Sequence, residues 1–275
     1  MEEEVDRIIN AVGNSTIRAE TIMTTSCIIR HFQHYAELSQ KDHNLLTSLE
    51  KSPRTFNRNT VLWEQGDKSD HFYTVREGWA CTYRNMEDGS RQVLDIYVPG
   101  DVIGLREFAF RRRISNLLVI SNASLCPFPK SRLSEVFESS RLLCNLFFMI
   151  SARDQAILVE RLINLGRRSA REKVAHFLLE MGHRLDKACI DVYDCNHLPL
   201  TQVLLADALG LSTVHINRTL SELKQENRVS MGPDGINILD RDGLVEVAGF
   251  DPEYLQEDID GMLRAIGVTD ASPSN

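Results

Sequence analysis

Between Ser212 and Asn227 the chain sets Thr213, Val214, His215, Asn217, Arg218 and Ser221 on the face of a helix opposite to Ile216, Leu220 and Leu223. These are residue types that recognise rather than react. A guanidinium can donate two parallel hydrogen bonds to O6 and N7 of a guanine. Amide, hydroxyl and imidazole groups can bond base edges or phosphates, and a valine can pack on a thymine methyl. No catalytic residue is assigned. There is no Gly-rich phosphate loop, no Gly-x-Ser-x-Gly and no His-Glu-x-x-His, and spacing brings no acid–base pair together.

The elements that must hold this face are legible on either side of it. Thr201 is an N-cap candidate for a preceding helix through Leu205, Ala206 and Leu209, and Gly210 stops that helix. Ser212 caps the second helix, which is expected from Thr213 to about Asn227. With so few linking residues the two helices must cross steeply, with small Ala206 at the approach. Val229-Ser230-Met231 and Ile236-Asn237-Ile238-Leu239 form a hairpin around Gly232-Pro233-Asp234-Gly235, the wing of a helix-turn-helix. Thr201, Ser212, Thr213, Val214, His215, Asn217 and Arg218 are the candidate DNA-contacting residues. The same periodicity would also suit a helical hairpin inside a core.

A net charge of −8 on 275 residues argues against a nucleic-acid partner until its distribution is read. Glu2, Glu3, Glu4 and Asp6 crowd the start. Glu246, Asp251, Glu253, Glu257, Asp258, Asp260 and Asp270 crowd the end against the single base Arg264, and the body between is near neutral. Arg167, Arg168, Arg171 and Lys173 make a local basic edge adequate for phosphate contacts. The six cysteines are scattered with no Cys-x-x-Cys pair, so neither a metal site nor an iron–sulfur cluster is expected. The Met-Glu-Glu-Glu start has the wrong sign for a secretory leader, and the apolar stretch Leu142 to Ile150 is too short to span a bilayer. A cytoplasmic protein with no membrane partner is expected.

The fold class read from these patterns is α+β: an N-terminal β-roll, jelly-roll-like, then a long dimerisation helix and a C-terminal winged helix-turn-helix. The expected divisions are an extension over 1–44, the roll over 45–133, the helix over 134–166, the winged unit over 167–245 and an acidic, partly disordered tail over 246–275. In the roll, Gly66, Gly78, Gly89 and Gly100 recur at strand-and-turn spacing. Strands are expected at 61–63, 71–75, 80–83 and 92–97, with Leu117 to Phe128 closing the sheet. One helix is expected from about Ser134 to Leu165. Leu143, Ile150 and Ile157 repeat at seven with Phe147 between them, a seam for a second copy, and Asp154 and Arg161 near it would fix register. Packing on the chain's own domain is the alternative. Ser169-x-x-Glu172 is a capping box opening the next helix.

This order of parts resembles the Crp/Fnr family of bacterial transcription regulators over roughly residues 45 to 245. Two stretches carry the resemblance. One is Gly66-Asp67-x3-His71-Phe72-Tyr73-x-Val75-x2-Gly78 continuing to Pro99-Gly100-Asp101-Val102-Ile103-Gly104, and the other is Leu209-Gly210-Leu211-Ser212-x2-His215-x-Asn217-Arg218-Thr219-Leu220. The resemblance implies a homodimer on a palindromic promoter site of double-stranded DNA, with RNA polymerase as a further candidate partner. It places the family's guanine-gripping arginine at Arg218. The family's cytosine-reading glutamate falls on Val214, so the half-site is expected to differ from that of the best-known members.

The sensory site departs further. Cyclic-nucleotide binders of this fold use a Gly-Glu step, but Gly104 is followed here by Leu105, and Glu107 lies too far along to substitute without a shift. Arg113-Ile114-Ser115 sits where the phosphate arginine belongs, with Arg111 and Arg112 beside it. Gly104, Arg113 and Ser115 are the candidate ligand-binding residues for an anion or altered nucleotide, with a solvated basic loop as the alternative. The cofactor is left unassigned: cyclic AMP is disfavoured, and haem ligation by His31, His34 or His71 has no supporting spacing. The leading reading is a sequence-specific dimeric regulator whose roll senses an unidentified signal. The alternative is a small-anion or nucleotide-binding regulatory module with secondary DNA affinity. Effector, operator, regulated genes and the sign of regulation are not written in the residues.

Overall fold

The computed structural model describes residues 27–33, 35–49, 53–188, 196–265 and 267. Two short helices, α1 (Cys27–Gln33) and α2 (Gln40–Leu49), precede the roll. Its strands are β1 (Arg54–Phe56), β2 (Val61–Trp63), β3 (His71–Glu77), β4 (Ala80–Asn85), β5 (Arg91–Tyr97), β6 (Val102–Ile103), β7 (Asn116–Val119) and β8 (Ala123–Pro129). They form two four-stranded sheets in the orders β1-β8-β3-β6 and β2-β7-β4-β5. Trp63, Val75, Ala80, Tyr97, Ile103, Leu117, Val119 and Leu125 pack into a common interior.

The segment Leu117 to Phe128, read as one closing strand, is two strands in different sheets. β7 pairs with β2 and β4, whereas β8 pairs with β1 and β3. The chain changes sheet at Ser121-Asn122. Gly78 makes room there: its φ is +76°, and a Cβ on it would stand 2.1 Å from the Asn122 carbonyl oxygen. Pro127 lies inside β8. It pairs with Tyr73, while β1 reaches only as far as Leu125, so the missing N–H falls on an open edge.

The expected helix from Ser134 to Leu165 is broken. α3 (Arg132–Ser139) and α4 (Arg141–Arg167) are separated by Ser140, whose backbone is extended at φ −139° and ψ 109°. The Ser140 hydroxyl accepts from the Leu143 N–H at 3.2 Å and donates to the Asp42 carboxylate of α2. An N-cap serine tied to a neighbouring helix is a restart signal that apolar periodicity does not carry.

The heptad Leu143, Ile150 and Ile157 faces inward on α4. Leu143, Phe147 and Ile150 are buried in the chain's own core with Phe32, Phe72 and Leu133, and Ile157 is buried too. The stripe facing outward is Phe148, Ala152, Gln155, Val159, Leu162 and Gly166, with alternating spacings of four and three; Phe148 is 75% exposed and Leu162 63%. By length and composition α4 would suffice to cross a bilayer. Its middle, however, carries Arg153 and Arg161 in ion pairs with carboxylates of the roll.

After α4 come α5 (Ala170–Ala188), β9 (His197–Leu198), α6 (Gln202–Leu209), α7 (Thr213–Gln225), β10 (Val229–Gly232), β11 (Gly235–Ile238) and α8 (Arg241–Ala248). The capping box at the start of α5 is closed in both directions: Ser169 N–H donates to Glu172 at 2.7 Å, and Glu172 N–H donates to the Ser169 hydroxyl at 3.3 Å. The tail is more ordered than its acidity suggested. A 3-10 turn (Pro252–Leu255) and α9 (Ile259–Ala265) follow α8, with Leu255 and Leu263 buried. Phe250 and Tyr254 contact the His176 ring of α5 at centroid distances of 4.9 and 6.1 Å. Residues 268–275 lie outside the described residues.

Candidate nucleic-acid interface

The Thr201 hydroxyl accepts from Leu204 N–H at 3.1 Å and the Ser212 hydroxyl from His215 N–H at 3.2 Å, so both helices begin where their cap residues stand. Gly210 between them has φ +60°, a left-handed stop, and Leu211 N–H closes the turn on the Ala206 carbonyl at 3.2 Å. Ala206 is buried at the crossing, and Ile216, Thr219, Leu220 and Leu223 bury the inner face of α7 against the core.

The outer face is open. Ser212, Thr213, Val214, His215, Asn217 and Arg218 are all exposed, as is Thr201, and Val214 is exposed to 76%. Arg218 makes only a loose i,i+4 pair with Glu222 at 3.9 Å, so its guanidinium can be redirected at small cost. Beside α7, β10 and β11 pair from Val229↔Ile238 to Gly232↔Gly235, and the hairpin tip is Pro233-Asp234. β9 adds a third strand through Leu198↔Ile236. The basic edge is partly spent at home: Arg171 holds Glu226 with two bonds of 2.7 and 2.6 Å, and Arg168 binds Glu160 at 2.5 Å.

α6 and α7 do not hang free of the roll. Phe177, Leu205 and Leu209 belong to one apolar cluster with Trp79, Val93 and Ile96 of the β4-β5 side. Arg91 of β5 donates to Asp207 of α6 at 2.7 Å. Beneath this lies a buried ionic joint. Arg161 of α4 bridges Asp95 of β5 and Glu180 of α5, both at 2.8 Å; Arg184 of α5 reaches Asp101 at 2.8 Å; and Arg153 of α4 reaches the other Asp101 oxygen at 3.2 Å. Burial acts against the Asp95 carboxylate, but Arg161, Arg184 and Arg106 outweigh it and hold its pKa down at about 2. Asp154 goes the other way. Burial raises its pKa to about 6, with Arg153 opposing and Asp95 and Asp101 reinforcing the rise. None of these acids and bases was singled out as a site residue. The available signal was that Arg184 and Glu180 fall on or beside the apolar face of α5, where a charge must find a partner.

At the roll, Gly104, Arg113 and Ser115 do converge, around a residue set aside as misplaced. Glu107, on the 3-10 turn Leu105–Glu107, accepts from Arg113 Nη1, Ile114 N–H and Ser115 Oγ, each at 3.0 Å. Arg113 is only 4% exposed, donates its other arm to the His71 carbonyl at 2.5 Å, and lies 3.7 Å over the Trp63 ring. The arginine in the phosphate position thus already holds a carboxylate. The shift that Glu107 needed is supplied by the turn. Cys81 and Cys126 are buried, and burial pushes the Cys81 thiol up to about 12. Cys189 and Cys195 lie outside the described residues.

Residues 53–140 match the cyclic nucleotide-binding domain family and residues 172–247 the Crp-like helix-turn-helix domain family. The chain is 28% identical over 216 residues to the transcriptional activatory protein AadR of Rhodopseudomonas palustris, covering 78% of this chain and 89% of that one. It is 30% identical over 185 residues to the nitrogen fixation regulation protein FixK of Bradyrhizobium diazoefficiens, covering 67% and 77%. Among solved structures, FixK2 from Bradyrhizobium japonicum superposes with a TM-score of 0.64 at 22% identity, over 73% of this chain and 98% of that one. A CRP-family transcriptional regulator from Thermus thermophilus, TTHB099, superposes with 0.57 at 18%, over 72% and 97%. The roll, the long helix and the winged unit occur together and in order, and the chain belongs to the Crp/Fnr family of transcription regulators.

Proposed function

We propose that this chain acts as a homodimer which pairs along the exposed stripe of α4 and lays two α7 helices in successive major grooves of a palindromic promoter site. Two-fold pairing of helix-turn-helix units sets half-sites about 34 Å apart. The observation that carries the reading is the outer face of α7, where Val214 and Arg218 stand exposed over a fully packed inner face. Arg218 reads a guanine and Val214 covers a thymine methyl, while Thr201, Ser212, Thr213, His215 and Asn217 supply phosphate or base contacts. The wing tip touches the flanking backbone.

In this reading the regulator is cytoplasmic and has no catalytic role. Its relative AadR is a transcriptional activatory protein, which supports activation through contact with RNA polymerase. Within the roll, Arg113 serves as an internal strut to Glu107, with Gly104 and Ser115 framing it. The test is selection of genomic fragments by the purified full-length protein at moderate salt. Enrichment of a two-fold symmetric site upstream of promoters is expected, and retention of all fragments alike would sink the proposal.

A further inference from the structure

The loop that buries Arg113 turns its other side outward and builds a second, unrelated surface. A cleft of about 750 Å³ opens there between the loop 108–112, Lys68-Ser69 and Lys130. Its lining contains four cations, Lys68, Arg111, Arg112 and Lys130, and no acid, in a protein whose net charge is −8. Two aromatic rings share it: Phe108 and Phe110 are 44% and 49% exposed. Lys68 also pairs with half-buried Asp70 at 3.4 Å at the rim.

The walls are fixed rather than floppy. Backbone N–H groups of Gly66, Ser69 and Arg113 donate to Arg113, Arg111 and Asp67 carbonyls at 2.9, 3.0 and 2.8 Å. Lys130 Nζ donates to the carbonyls of Phe110 and Glu107 at 2.9 and 3.1 Å, pinning the loop from below, and lies 5.4 Å from the Phe108 ring centroid. Burial and the neighbouring Arg113 lower the Lys130 pKa, with Glu107 and Asp70 opposing.

We propose that this cleft binds a nucleoside polyphosphate, its phosphates on Arg111, Arg112 and Lys68 and its base against Phe108 and Phe110. A planar guanidinium is suited to phosphate oxygens, and exposed rings take a base face without demanding a particular one. The site is separate from the roll interior, where Arg113 is already paired. It has a route to the rest of the molecule. Phe108 contacts Phe137 of α3 at 6.5 Å, and Phe137 contacts Phe147 of α4 at 5.8 Å, so a base stacked on Phe108 would press on the helix proposed to pair the subunits. Only this consequence rests on the proposed dimer. Binding itself is read without DNA.

The test titrates the full-length protein with ATP, inorganic pyrophosphate and adenosine by calorimetry, alongside Arg111→Glu, Arg112→Glu and Phe110→Ala proteins checked for an unchanged thermal midpoint. ATP is expected to bind more tightly than pyrophosphate, and adenosine weakly. Each charge reversal should weaken ATP and pyrophosphate by about tenfold or more, and Phe110→Ala should weaken ATP while sparing pyrophosphate. No saturable ATP binding below about 1 mM, or equal binding by wild type and Arg111→Glu, would overturn the proposal. So would loss of affinity for long flanking DNA in Arg111→Glu with ATP binding untouched, which would give this face to the DNA backbone.

Discussion

Arg184 of α5 donates to the Asp101 carboxylate at 2.8 Å, joining the first helix of the DNA-binding unit to the roll across 83 positions of sequence. Both side chains are about 5% exposed, so each charge depends on the other to stay out of water. Asp101 closes the turn at Pro99-Gly100, where its carboxylate also accepts from Val98 N–H at 2.8 Å. The same carboxylate serves a loop, α4 and α5 together.

Removing one partner leaves a buried charge alone. Arg184→Ala is expected to destabilise the protein by about 3–5 kcal/mol, read as a fall in the urea midpoint. The double variant with Asp101→Asn should lose much less than the sum of the two single losses. Additive losses would show that the pair is not the joint described here.

The helix of recognition offers a sharper test than loss of binding. Arg218→Ala is expected to relax discrimination at one guanine of the half-site by about 1–3 kcal/mol, while Arg167→Ala weakens specific and random DNA alike. Val214→Glu restores an acceptor and should shift the selected base at its position toward cytosine. Sequencing of fragments selected by each protein reads both effects, and an unchanged preference with Val214→Glu would remove Val214 from the reading face.

The two faces of α4 predict opposite phenotypes. Leu162→Glu on the exposed stripe is expected to yield folded monomers by light scattering, with helix content and the thermal midpoint of the isolated fold retained. Ile150→Ala on the buried face should cost about 2–5 kcal/mol in stability, because it opens a cavity in the chain's own core. Dissociation by Ile150→Ala alone, with Leu162→Glu remaining dimeric, would return the interface to the Leu143–Ile150–Ile157 side.

Asp154 gives a pH signature. Its folded pKa of about 6 lies above the usual aspartate value of 3.8, so the folded state holds this proton more tightly. Its contribution is most favourable below about pH 4 and is lost as pH rises through 6. Asp154→Asn is therefore expected to gain about 1–2 kcal/mol relative to wild type at pH 7.5 and little at pH 4, measured by urea unfolding at both. Asp95 has the opposite sign: its depressed pKa of about 2 stabilises above pH 4, and that contribution disappears as pH falls through 2.

Local chemistry was enough to place the reading unit. Thr201, Gly210 and Ser212 mark helix ends through their own hydroxyls and backbone, and Leu220 and Leu223 declare the buried side, so α6, α7 and the wing follow from residues within a few positions of each other. The glycine-punctuated roll was legible for the same reason. Its strand exchange at Ser121-Asn122 was not, because one apolar run suits one sheet or two.

Which apolar face of α4 turns inward was decided by α1, α2 and the roll packing against it, since periodicity gives a stripe but no partner. Glu107 reached Arg113 only because a 3-10 turn shortened the path between them. The joint of Asp95, Asp101, Arg161 and Arg184 draws on four elements distant in sequence. The sequence by itself determined where the helix-turn-helix and its wing lie, because caps, stops and helical faces are short-range properties. Only the tertiary structure decided what holds the reader to its roll and where charge is left exposed, because desolvation and ion pairing depend on neighbours that the chain brings together on folding.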